Sequence, residues 1–237
     1  MAVDTQAYRV ELRPRFPRWY RGWAHFTFSN FLLGGLTAYL ATRVHAVRPV
    51  EWLAIPVGFL IANAVEYLAH RNPLHRPMPG MRYIYKAHGI QHHRFFTGDA
   101  PENMTTSDPH DFAVVLFGPL SQAVLLGGVG LPAALVVWAC FGLNPALLFG
   151  ATASAYFLTY EWLHLIYHLP ATHPFTKLPG MRGLRLHHLR HHELQLMTRW
   201  NFNITFPIFD AVFGTTYRED RMPARSPAGP QPQAPVR

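Results

Sequence analysis

Cysteine and charge are both scarce in this chain of 237 residues. The single thiol, Cys140, excludes an internal disulfide and any iron–sulfur cluster held by four thiolates. Electrons for redox chemistry must therefore come from another protein. Charged residues make up only 14% of the chain, and no Lys or Arg falls between 112 and 163. The net charge of +8 is carried mostly by arginine. No nucleic-acid-binding motif accompanies it, and arginine beside apolar blocks marks the cytoplasmic face of a membrane, so no nucleic acid is expected as a partner. Two metal-site motifs are also missing. The nearest string to HExxH is HELQL at 192–196, which lacks the second histidine of a zincin. Paired ExxH motifs of the ferritin type are reduced to Glu161 with His164.

What is abundant is apolar sequence in blocks. Hydrophobic residues form 49% of the chain. Residues 24–42 hold no formal charge and are long enough to cross a bilayer. Before them FPRWYRGW interleaves aromatics with arginines and suits the headgroup belt, so 1–23 reads as an interfacial segment and not as a cleaved signal peptide. A second span runs from about Trp52 to Leu68. Three further apolar stretches, 112–126, 131–142 and 145–163, are separated by GGVG at 127–130 and by Gly142 to Pro145. An even number of crossings here keeps early and late histidines on one face, so one outward and one inward crossing are expected, with GGVG bending a long span or forming a hairpin. Lys and Arg agree: five up to residue 23, five in 71–94, five in 177–199 and four after 217, against two in 43–50. The positive-inside rule then places both termini and the histidines in the cytoplasm. The end, 219–237, is Pro-rich and reads as a disordered tail.

The histidines gather in four clusters: HRNPLH at 70–75, HGIQHH at 88–93, HLIYH at 164–168 and HHLRHH at 187–192. Imidazole is the commonest protein ligand for transition metals, and spacings near one helical turn let several rings converge. Pro73 should end the second span at His70 and return His75 from a loop. His88 and His92 should share a helical face while His93 points about 100° away, so one helix can serve two ions. His164 and His168 lie one turn apart. His188, His191 and His192 should share a face, with His187 stacked one turn before His191, and spacing leaves open which of His187 and His188 is a ligand. Glu66 and Glu161 precede His70 and His164 by four and three residues and should receive the outer N–H of metal-bound imidazoles. His25, His45, His110 and His173 stand alone and read as surface or hydrogen-bonded residues. The loop from Phe95 to Asp111 is a candidate cover for the site. A metal-transporting membrane protein and a haem-binding electron carrier are the alternatives, the second disfavoured because these histidines sit at span ends and in loops.

The four clusters, their order and their flanking spans resemble the fatty acid hydroxylase and sterol desaturase superfamily of membrane di-iron enzymes over roughly residues 20–218. His70 and His75 match HxxxxH; His88, His92 and His93 match HxxxHH; His164 and His168 match HxxxH; His187, His188, His191 and His192 match HHxxHH; and FDAVFGT at 209–215 is similar to that family's closing segment. The resemblance implies an all-α integral membrane bundle of about four transmembrane helices, its membrane domain spanning 24–218, with a cytoplasmic helical cap around a histidine-rich dimetal site. It further implies two non-haem iron ions held by these histidines, dioxygen as co-substrate, a lipid drawn from the bilayer and hydroxylated or desaturated, and an external electron-transfer protein of ferredoxin or cytochrome type.

Overall fold

A computed structural model describes residues 4–219, so all but the first residue of the expected Pro-rich tail lies outside the described residues. Among the described residues the chain is helical, with no strand. Helix α1 (Thr5–Leu12) starts at Asp4, whose carboxylate accepts the Ala7 N–H at 2.9 Å and satisfies a donor left free at the helix end. The helices α2 (Gly22–Thr42) and α3 (Ala54–Ala69) follow, and α3 continues without a break into a π-helical turn, His70–Leu74. The short α4 (Arg82–Tyr85), a second π-helical stretch Lys86–His92 and α5 (His93–Phe95) carry the next histidines.

The GGVG string does not form a hairpin. It is absorbed as a π-helical stretch, Leu126–Gly130, between α6 (Pro119–Leu125) and α7 (Leu131–Phe141), so 119–141 is one continuous helix. The reversal comes instead at Gly142, whose φ of 95° is open to glycine at little cost. Helix α8 (Leu143–His168) runs back from it, and α9 (Met181–His191) and α10 (Ile208–Val212) complete the chain.

Helix α8 is the axis of the fold, packing against α2, α3 and α7. Polar pairs pin its register: Ser154 donates to the Leu33 carbonyl at 2.9 Å, Trp162 Nε1 to Asn30 Oδ1 at 2.8 Å, and Asn63 Nδ2 to the Tyr156 hydroxyl at 2.6 Å. In an apolar surrounding such bonds have no water to compete with them. The outward faces carry exposed Phe31, Leu60, Leu135, Val136, Trp138 and Phe141. A continuous apolar exterior of that kind marks contact with a membrane or a partner. Two helical stretches, 49–74 and 109–141, are long and apolar enough to cross a membrane by length and composition.

At the opposite end the polar segments fold over the ends of α3 and α8. Helix α1 lies against α5. From it the buried Arg9 donates to the carbonyls of Phe95 at 2.8 Å and Asn103 at 2.6 Å. Arg13 grips Asp111 with two bonds of 2.9 Å each. The loop Phe95 to Asp111 is thus strapped to the N-terminal segment, while Trp19 and Trp23 stay exposed.

Candidate metal centre

Ten histidines converge in two adjoining groups of five. The first holds His70, His75, His88, His93 and His191; the second holds His92, His164, His168, His188 and His192. In each group the candidate donor nitrogens all lie within 4.8 Å of one another. All ten residues are buried.

The local helix type decides which histidine joins which group, and here the α-helical expectations need correction. A π turn closes five residues back where an α turn closes four. Because His70–Leu74 is π-helical with Pro73 inside it, His70 and His75 reach the same group as a continuation of the helix, not as a helix end and a returning loop. Because Lys86–His92 is π-helical, His88 pairs with His93, and His92 is the one that turns away to the second group. In α9 the spacing is α-helical, so His188 pairs with His192 and His191 parts from both. His164 and His168, one α turn apart, meet in the second group. His187 belongs to neither, its Nε2 lying 3.3 Å from Asp210 Oδ2.

Backbone carbonyls orient the rings. Nδ1–H of His70 donates to Phe202 O at 2.6 Å, that of His92 to Val114 O at 2.6 Å and that of His168 to Met104 O at 2.9 Å. His191 and His192 donate likewise to Trp200 O at 2.9 Å and Phe96 O at 2.7 Å. Such bonds fix the tautomer and leave Nε2 as a bare lone pair. The lone pairs of His92 and His192 then face each other at 3.1 Å, and His92 and His164 Nε2 are also 3.1 Å apart. In the first group His70 and His88 Nε2 are 2.9 Å apart, as are those of His75 and His191. Two lone pairs at that distance repel unless a cation lies between them. Nitrogens about 2.1 Å from one ion and at right angles are about 3.0 Å apart, so the spacing fits ligands of a shared metal. Burial supports the same state: loss of water lowers the pKa of His92 to about 3 and holds those of His75, His88, His93, His188, His191 and His192 well below the ordinary value. Neutral imidazoles are what metal ligation requires.

Glu66 acts at one remove. Glu66 Oε1 accepts the N–H groups of Ile204 at 2.6 Å and Thr205 at 3.1 Å, and its Oε2 accepts the hydroxyls of Thr205 and Tyr156. It anchors the segment whose Phe202 carbonyl orients His70, and no bond to an imidazole is found among the described residues. Glu161 Oε1 accepts the Phe117 N–H at 3.1 Å. Asp210, which spacing had not singled out, binds the N–H groups of Phe202 at 2.9 Å and Asn203 at 2.8 Å. Of the isolated histidines, His25 contacts Tyr20 at 2.9 Å and Phe117 O at 3.1 Å, and none of the four enters either group.

A cavity of about 690 Å³ runs between α3, α8 and the 119–141 helix. Its wall passes from the exposed Ile61, Leu135 and Trp138 to the buried Glu66, His70, Tyr156 and Tyr160. The size lies within the roughly 300–1,000 Å³ of ordinary ligand sites. The loop Phe95 to Asp111 does not line it; it supplies the Phe96 and Met104 carbonyls to the second histidine group.

Comparison with known proteins agrees with this geometry. No curated protein matches the sequence at a significant level. A solved structure titled full-length scs7p, with only its hydroxylase domain visible, superposes with a TM-score of 0.55 at 19% identity, over 90% of this chain and 67% of that one. At that identity the likeness concerns the fold. The family sequence model for fatty acid hydroxylases matches residues 55–215, a range that contains every histidine of both groups. With that match over most of its length, the chain belongs to the fatty acid hydroxylase family.

Proposed function

We propose that the protein is an integral membrane monooxygenase that hydroxylates a lipid at a dinuclear iron centre held by the two histidine groups. The observation that carries this reading is the cavity, apolar along its length and reaching His70 and Tyr160 at its buried end. A lipid chain lying among the spans can enter it without crossing water, and its inner end meets the metal ligands.

In the first group His70, His75, His88, His93 and His191 would hold one iron, and in the second His92, His164, His168, His188 and His192 would hold the other. The bound irons supply the redox chemistry that turns dioxygen into an oxidant for an unactivated C–H bond. One oxygen atom ends in the new hydroxyl and the other in water, with two electrons from an external ferredoxin or cytochrome and two protons. A desaturated product would share the initial hydrogen abstraction. The residues of this chain do the rest. The carbonyls of Phe96, Met104, Val114, Trp200 and Phe202 keep the imidazole rings aimed. Burial of the ten histidines excludes bulk water, which protects a strong oxidant from side reactions. The Tyr160 hydroxyl is buried and without a hydrogen-bond partner among the described residues, which leaves it free to donate to an oxygen of the substrate.

Helices α2 and α8, with 21 and 26 residues, are long enough to cross beside the two more apolar stretches. Four crossings would place both termini and the histidine cap in the cytoplasm, in keeping with the arginine distribution. The test is lipid mass spectrometry of cells with and without the gene under heavy-isotope oxygen, together with metal analysis of the purified protein. A labelled lipid and about two irons per chain are expected; iron-free protein and an unlabelled lipidome would overturn the reading.

A further inference from the structure

The two halves of the site repeat one design. The string Pro79-Gly80-Met81-Arg82 recurs as Pro179-Gly180-Met181-Arg182, and Gly80 and Gly180 precede His88 and His188 by the same eight positions. The two glycines share a left-handed conformation, with φ of 76° and 78°. In both turns the methionine N–H closes on the carbonyl three residues back, Met81 on Met78 and Met181 on Leu178, each at 3.1 Å. Each turn is preceded by a long helix ending in a histidine pair and followed by a helix bearing a histidine triplet. The first half reads His70 and His75, then His88, His92 and His93; the second reads His164 and His168, then His188, His191 and His192.

The halves differ by one residue per turn. In the first, the outer ligands are five apart and are spaced by π-helical segments; in the second they are four apart and are spaced by α-helical turns. A π turn absorbs the extra residue and restores the convergence. Both halves thus place four histidines on one ion position of their own, His70, His75, His88 and His93 in one and His164, His168, His188 and His192 in the other.

The fifth ligand of each group is borrowed. His92, the middle histidine of the first triplet, faces His164 and His192 of the other half at 3.1 Å each. His191, the middle histidine of the second triplet, faces His75 of the first at 2.9 Å. We infer that His92 and His191 are exchanged ligands that make the two metal positions load as a unit. The inference rests on the reading that each group holds an ion. An ion in either position orders both triplet-bearing helices, because each position takes a ligand from the other half's triplet. The second ion then meets a site whose ordering is already complete, which is positive coupling between the positions.

The experiment is native mass spectrometry of the full-length protein in detergent, stripped of metal and titrated anaerobically with ferrous iron. Wild-type protein is expected to pass from no ion to two with little one-ion form, the second ion binding about 5–150-fold more tightly than the first. His92→Ala combined with His191→Ala leaves four ligands at each position and should bring the two affinities together, so that the one-ion form accumulates. His75→Ala combined with His168→Ala also removes one ligand from each position but none that crosses, and should keep the coupling. A one-ion form at its statistical level in wild type would overturn the inference, and that measurement requires no variant to fold. A crossing variant as all-or-none as the control would overturn it as well. Wild-type protein that binds no iron would instead overturn the underlying assignment of the metal centre.

Discussion

His93 stacks on His192 with ring centroids 4.1 Å apart and planes 22° from parallel, although the two belong to different histidine groups. In the proposed centre the wall between the two metal positions would therefore be made of ligands. Removal of metal should affect more than the donor nitrogens, since the facing lone pairs of His92 and His192 would be left uncompensated beside the stack. Thermal unfolding of protein stripped by chelation is expected at a lower temperature than that of the loaded protein, and re-addition of ferrous iron should restore it.

His187 and His188 should separate cleanly. His188→Ala removes a member of the second group and should lower bound iron and lipid hydroxylation together. His187→Ala removes a ring beside Asp210 and should leave the iron content of folded protein near two per chain. Elemental analysis of both variants checks this, and equal iron loss would contradict the placement.

Tyr160→Phe deletes a buried hydroxyl that no described group satisfies. Such groups cost about 1–3 kcal/mol, so the variant is expected to be at least as stable as wild type, with unchanged iron content. Product formation should nevertheless fall, with the loss read in substrate affinity or in the position oxidised. Unaltered turnover would show that the substrate offers this hydroxyl no partner.

Arg9→Ala should act at a distance on the second histidine group. It removes two charge-assisted bonds to the carbonyls of Phe95 and Asn103, worth about 1.5–3 kcal/mol each. The strapped segment carries the carbonyls of Phe96 and Met104 that orient His192 and His168. Metal analysis should find less than two irons per chain at limiting iron, with both positions losing occupancy together. Arg9→Lys should rescue poorly, because a single ammonium lacks the fork that spans two carbonyls.

Glu66→Ala should weaken the other group. Its carboxylate collects two backbone N–H groups and two hydroxyls from three residues, and their loss frees the segment that carries the Phe202 carbonyl. Disturbing the outer partners of metal ligands typically costs about 10–100-fold in affinity, and a competition titration with a chelator would measure it. Glu66→Gln should be milder, since its amide oxygen can keep the backbone donors while the hydroxyls turn to accept.

The histidine clusters and the apolar blocks between them were readable from spacing alone, because imidazoles at turn-like intervals beside uncharged stretches have few other uses. The division of labour within each cluster was not. A five-residue spacing such as His88 to His93 looks off-face on an α-helix, and the π turns that correct it leave no signature in GIQ or RNP. The choice between His187 and His188 was equally hidden, since it depends on Asp210 arriving from more than twenty residues downstream. Glu66 and Glu161 were plausible partners for imidazole on sequence distance. The carbonyls that hold that place come from loops and short 3-10 turns at Phe96, Met104, Val114, Trp200 and Phe202, and a carbonyl has no letter of its own in a sequence.

That last property bears on how such a site tolerates genetic drift. A carboxylate partner can be deleted by one codon change, whereas every residue type presents the same peptide oxygen. Phe96, Met104 or Trp200 can be exchanged without removing the group that aims the ring. Vulnerability is displaced to the few side chains that hold those peptides in place, so harmful variants should concentrate at Arg9, Glu66 and Asp210, positions that touch no metal ligand through their own hydrogen bonds.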